Sequence, residues 1–140
     1  MKKVLVVDDS ALMRKLLTGV LVEDGWEVRS ARNGAEAVEV FTRERPQLVL
    51  MDALMPVMDG FEAARLIRAY EGRHGLSAVP LVALTANVFQ SDRDQSRDAG
   101  MNAFLAKPFN DEQLRAVLEV FHMLGRPVER TESVYAALLL

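Results

Sequence analysis

Four runs of four apolar residues alternate with segments of helical period along this chain: Val4-Leu5-Val6-Val7, Leu48-Val49-Leu50-Met51, Leu81-Val82-Ala83-Leu84 and Ala103-Phe104-Leu105-Ala106. Each run is too short for a helix and apolar throughout, the pattern of a strand covered on both faces. A further strand is indicated at 26–31, where Trp26-Glu27-Val28-Arg29-Ser30-Ala31 alternates in the manner of a half-exposed strand. Five strand–helix units with short connections imply right-handed crossovers, and hence an α/β fold on a parallel sheet. All the strands then finish along one edge, which in open sheets of this kind is where ligands bind.

The segments between the strands carry helix signals. Ser10 can cap a helix over Ala11–Glu23 that stops at Gly25, with Met13, Leu16, Leu17, Val20 and Leu21 on its apolar face and Leu12 and Val22 on the other. Asn33-Gly34 turns the chain into a helix over about 35–45, with Ala37, Val38 and Phe41 as its buried stripe and Pro46 after it. A third helix is predicted over about 61–70, with Ala63, Leu66, Ile67 and Tyr70 inward, Glu62, Arg65 and Arg68 on a solvated face, and Phe61 off the stripe. Residues 90–98 read as an exposed, charge-laced helix. Asn110, with Gln113 placed for a capping box, opens a last helix from 111 to about 123.

With 140 residues the chain fits one domain, expected over 1–124, followed by a tail or linker over 125–140 with no domain of its own. The net charge of −3, with 17 basic and 20 acidic residues dispersed, offers no basic stripe, so direct nucleic-acid binding is not expected. The absence of cysteine excludes disulfides, thiolate zinc sites and a cysteine nucleophile, and fits a reducing compartment. The apolar run at 4–7 is far too short for a signal-peptide core or a membrane span, so a cytoplasmic protein without membrane insertion is expected.

The residues at the strand ends carry the chemistry: Asp8-Asp9 after the first, Asp52 after the third, Thr85 after the fourth and Lys107 after the fifth. Taken singly, each is more often a loop acid, a strand-end threonine or a surface lysine; their joint placement is what singles them out. Three neighbouring carboxylates repel, and a cation among them keeps all three ionised, which points to a hard divalent ion with oxygen ligands such as Mg2+. Magnesium favours a phosphoryl ligand. A carboxylate can itself attack phosphorus to give an acyl phosphate, assisted by a metal, a fixed cation and a hydroxyl donor.

Four motifs in this order resemble the receiver domain of two-component response regulators: Val-Val-Asp-Asp-Ser at 6–10, Met-Asp-Ala-Leu-Met-Pro-Val-Met-Asp-Gly at 51–60, Ala-Leu-Thr-Ala at 83–86 and Lys-Pro at 107–108. The resemblance covers about 3–123. It implies a flavodoxin-like, doubly wound five-stranded parallel sheet in the order 2-1-3-4-5 with helices on both faces. It further implies that Asp52 accepts a phosphoryl group from a histidine kinase or a histidine phosphotransfer protein. Asp8 and Asp9 would hold Mg2+ with Asp52 and the backbone carbonyl of Leu54, Thr85 and Lys107 would bind the phosphoryl oxygens, and the Lys107-Pro108 bond would be cis.

By the same resemblance, Thr85 and Phe104 form a switch, with Phe104 in place of the commoner tyrosine; as Thr85 moves toward the phosphoryl group the ring turns inward. The surface of the fourth helix, fifth strand and fifth helix would then meet a downstream protein. Leu54 and Asn87 occupy positions that, in the family this chain resembles, tune the lifetime of the phosphorylated state. The stretch 83–108 is similar to receivers of hybrid kinases and phosphorelays, which would place a phosphotransfer partner near the first helix, at Leu12 and Val22. An Mg2+-dependent phosphohydrolase is the nearest enzyme alternative, but the general acid it wants two residues after the nucleophile is here Leu54. A flavin protein is disfavoured because Asp8-Asp9 would repel its phosphate. A receiver that binds partners without being phosphorylated is the remaining alternative.

Overall fold

The computed structural model describes residues 2–86 and 90–122, over which strand and helix alternate five times. The strands are β1 (Lys3–Val7), β2 (Glu27–Ala31), β3 (Leu48–Asp52), β4 (Leu81–Thr85) and β5 (Ala103–Ala106). The helices are α1 (Ala11–Glu23), α2 (Gly34–Glu44), α3 (Gly60–Arg73), α4 (Gln90–Asp98) and α5 (Asp111–His122). All pairings are parallel, in the order β2-β1-β3-β4-β5. The expected sheet order is therefore observed, and the Lys107-Pro108 peptide bond is cis. Asn87 and the segment 125–140 lie outside the described residues.

The unbroken apolar runs are explained by the two cores they serve. Alternate residues point to opposite faces of a strand, so Leu5, Val7, Val49, Met51, Leu81 and Ala83 pack against α2 and α3 through Ala37, Val40, Phe41, Ala64 and Ile67. Val4, Val6, Leu48, Leu50, Val82 and Leu84 pack on the other side against Leu17 and Leu21 of α1 and Leu114, Val117 and Leu118 of α5. Each such buried aliphatic side chain contributes roughly 1.5–3 kcal/mol. At the sheet edge β2 has neighbours only on one side and is half-exposed, apart from buried Ala31.

Side chains cap four of the helix starts, at Ser10 and Asn110 as expected and also at Asn33 and Asp59. Ser10 Oγ accepts from Met13 N at 3.2 Å, Asn33 Oδ1 from Glu36 N at 2.9 Å, and Asp59 Oδ1 from Glu62 N at 2.9 Å. Asn110 and Gln113 make the reciprocal capping box, at 2.9 and 2.8 Å. Helix faces depart from the periodicity at several places. Leu16 and Leu66, expected inward, are 58% and 41% exposed. Each adjoins a residue, Leu17 or Ile67, that takes the place on the sheet, and a helix turns only a narrow stripe to a flat surface. In α2 Val40 is buried where Val38 was expected, and Val38 is only partly covered.

In α3 the buried positions are Gly60, Phe61, Ala63, Ala64, Ile67 and Glu71, so Phe61 belongs to the core after all. The face expected to be solvated is also tethered. Glu71 is 3% exposed; its Oε1 accepts from Arg68 Nη1 at 2.7 Å and its Oε2 from Val79 N at 2.7 Å. Arg68 donates onward to Gly100 O at 2.9 Å and Asn102 Oδ1 at 2.8 Å, and Asn102 Oδ1 also accepts from Leu81 N at 2.9 Å. The network ties the end of α3 to the entrances of β4 and β5. Removing one member of a buried, hydrogen-bonded pair strands the other, so Glu71→Ala is expected to cost about 3 kcal/mol. Urea unfolding would register this as a lower midpoint at unchanged slope.

Candidate functional site

The register of the sheet assembles the site. Val7 lies opposite Met51, Asp52 opposite Leu84, and Thr85 opposite Ala106, so the residues after β1 and β5 and at the ends of β3 and β4 meet on one edge. The loop hydrogen bonds Ala53 N to Leu84 O (2.9 Å) and Lys107 N to Thr85 O (2.7 Å) extend this alignment past the strands. Asp8 is fully buried, Asp52 and Thr85 are each 8% exposed, and Asp9 is exposed. One carboxylate oxygen from each of Asp8, Asp9 and Asp52 lies within 4.8 Å of the others. Lys107 Nζ sits between two of them, 3.0 Å from Asp8 Oδ2 and 3.3 Å from Asp52 Oδ2. Three hard oxygen donors at that spacing fit a divalent cation of the Mg2+ class.

Backbone groups orient the acids. Asp8 Oδ1 accepts from Ser10 N at 2.9 Å, so the residue that caps α1 also holds the first acid. Arg14 Nη1 donates to the Asp8 carbonyl at 2.7 Å, a brace that its helical position concealed in the sequence. Asp52 Oδ1 accepts from Leu54 N at 3.2 Å. Gly60 lets the start of α3 lie directly on the end of β3, since a Cβ there would collide with the Asp52 carbonyl oxygen.

The loop between them is strained. Met58 N donates to Pro56 O at 2.8 Å across Val57, whose φ of 71° lies in the left-handed region although its side chain is β-branched. Val57 is 85% exposed and so gains little from packing. Val57→Gly should therefore raise stability by about 1 kcal/mol, after allowing for the greater freedom of glycine in the unfolded chain. Thermal unfolding would measure it.

Burial raises the Asp52 pKa above the ordinary aspartate value; the Lys107 ammonium opposes this, and the neighbouring Asp8 charge adds to it. Burial works against the charge on Lys107, but its hydrogen bond to Asp8 and its attraction to Asp52 prevail and raise its pKa. Folded Asp52 thus holds its proton more tightly than the unfolded chain does. Its contribution to stability is present below the ordinary aspartate range and is lost as pH rises through its raised titration. Metal-free Asp52→Asn should accordingly melt above wild type at pH 7, with the difference shrinking as the pH is lowered toward 4; a lower melting point at pH 7 would contradict this.

The model of the response regulator receiver domain family matches residues 4–119. The chain belongs to this family. Receiver domains are modules of two-component signalling rather than enzymes in the usual sense. Among curated relatives, hybrid signal transduction histidine kinase K of Dictyostelium discoideum is 34% identical over 122 residues, covering 84% of this chain and 10% of that protein. Across eight such relatives the chain spans between 6% and 56% of their length. The crystal structure of the receiver domain of sensor histidine kinase PA1611 from Pseudomonas aeruginosa, with a magnesium ion coordinated in its active site cleft, is 38% identical with a TM-score of 0.75, covering 86% of this chain and 96% of that one. The co-crystal structure of the Saccharomyces cerevisiae histidine phosphotransfer protein Ypd1 with the receiver domain of Ssk1 matches with a TM-score of 0.84 and 31% identity, covering 91% and 94%.

Leu54 is 62% exposed beside Asp52. Phe104 is half-buried in β5 and packs toward the core under α2 and α3. Leu12 and Val22 are 67% and 58% exposed, as expected. Leu12 lines an apolar groove of about 790 Å³ with Leu16, Val20, Pro108, Phe109 and Leu114, whereas Val22 is not part of its lining. Among the described residues, no helix is long and apolar enough to cross a membrane.

Proposed function

We propose that this receiver domain takes up a phosphoryl group on Asp52 from a phosphohistidine of a histidine kinase or a histidine phosphotransfer protein, and that Mg2+ is bound at the acid edge. The observation that carries this is the cluster of Asp8, Asp9 and Asp52 oxygens within 4.8 Å with Lys107 Nζ 3.0 and 3.3 Å from two of them. Asp52 Oδ attacks phosphorus as the phosphorus–nitrogen bond breaks, and the bond's electron pair leaves with the imidazole, which takes up a proton.

This chain's residues have distinct parts in that step. Asp8, Asp9, Asp52 and the backbone carbonyl of Leu54 would hold the metal ion. The bound ion supplies charge neutralisation on the transferring oxygens. Lys107, already held above the carboxylates, moves its charge to a phosphoryl oxygen, and the Thr85 hydroxyl donates to another. Phe104 then turns inward with Thr85 and alters the surface of α4, β5 and α5 for a downstream protein. The apolar groove beside α1, with Leu12 at its mouth, is the surface for the phosphotransfer partner. A hydrolase has no support here, since Leu54 stands where its general acid would be.

The receiver domain is taken to run over 1–124, in line with the family match over 4–119. The absence of cysteine fits a cytoplasmic setting.

Intact mass after incubation with a small acyl-phosphate donor tests the proposal. Wild type should gain one phosphoryl group only when Mg2+ is present, and Asp52→Asn should gain none. Equal labelling of Asp52→Asn would remove Asp52 from the role. No gain in wild type under any condition would favour a receiver that only binds partners.

A further inference from the structure

Arg93 of α4 lies over the face of Phe104, with its guanidinium carbon 4.6 Å from the ring centroid. That is well inside the distance at which a cation is attracted to an aromatic face. Its Nε is buried and has no hydrogen-bond partner. A buried guanidinium nitrogen without an acceptor is costly unless something offsets the lost hydration, and the group this guanidinium faces is the phenyl ring. Phe104 in turn has no hydroxyl to anchor it. Its ring is half-buried, packs on one side toward the core that contains Met51 and Ala83, and sits opposite Ala83 of β4, two residues before Thr85.

We infer that Arg93 is a positioning residue that holds Phe104 in the half-buried place it takes beneath α4, and so sets the balance between the resting and phosphorylated surfaces. The inference rests on the phosphoacceptor reading of Asp52. A ring that turns further inward beside Thr85 departs from its place under the guanidinium, so the contact favours the arrangement the structure shows. By linkage, whatever favours the inward ring must overcome that contact, and removing it makes the activated state easier to reach. The same contact joins ring position to the placement of α4. Release of Arg93 would therefore change the charge that α4 presents to a partner together with its shape.

Beryllofluoride with Mg2+, which mimics a phosphoryl group on a carboxylate, gives the test. A fluorinated phenylalanine placed at position 104 reports the ring by 19F NMR. Arg93→Met keeps an apolar side chain of similar length without the charge. It should lower the beryllofluoride concentration for half-saturation by about threefold or more. It should also shift the unliganded resonance toward its beryllofluoride-bound position. Arg93→Lys, which keeps a cation, should fall between the two. A residue with only a structural role would weaken beryllofluoride binding when lost, not tighten it, and urea unfolding of both variants identifies any loss of fold. Unchanged half-saturation and an unchanged resting resonance in Arg93→Met would overturn the coupling alone. A wild type that takes no beryllofluoride would overturn the phosphoacceptor reading and this coupling with it.

Discussion

Everything at the functional edge depends on one ammonium group among buried carboxylates. Asp8 has no exposed surface and Asp52 very little, so their negative charges stand in a poorly solvated place where repulsion is strong. Lys107 Nζ, within 3.0 and 3.3 Å of the two, is what makes that arrangement tolerable in the metal-free protein. The offset is incomplete, since Asp52 still holds its proton more tightly than an ordinary aspartate. An edge with carboxylate charge to spare is suited to a divalent cation, and a divalent cation to a phosphoryl ligand.

That edge is maintained by covalently distant parts of the chain. Lys107 and Asp8 are 99 positions apart and meet because parallel register aligns the ends of β1, β3, β4 and β5. Two cores clamp the sheet from opposite sides, and the Arg68–Glu71 network anchors α3 near the strands' other ends. The stability of the scaffold thus offsets both the repulsion among the acids and the strained turn at Val57. Strain and like charge sit together beside Asp52, where the gain from folding alone would place neither.

Two surfaces flank the edge and differ in character. The groove beside α1 is apolar and lined by side chains from α1, from α5 and from the segment just after Lys107. The α4 side is polar, and its link to the site runs through β5, where Phe104 meets Arg93.

Much of this was legible in the residues themselves. Strand positions came from unbroken apolar runs, helix starts from Ser10, Asn33 and Asn110, and the acid edge from the residues at the strand ends, because local periodicity and capping depend on near neighbours only. The order 2-1-3-4-5 came through resemblance of the four motifs, and the sheet has that order. Tertiary structure alone decided which of several apolar residues on a helix is covered. Leu16 and Leu66 are exposed while Phe61 and Val40 are buried, because burial depends on what the opposing surface offers at that height. It also decided the fate of charged side chains. Arg68 and Arg93 read as solvated helix residues, yet Arg68 binds Gly100 and Asn102 and Arg93 lies over Phe104, while Glu71 is buried against Val79. Hydrogen-bond acceptors and ring faces brought close by folding leave no trace in the spacing of the residues that use them.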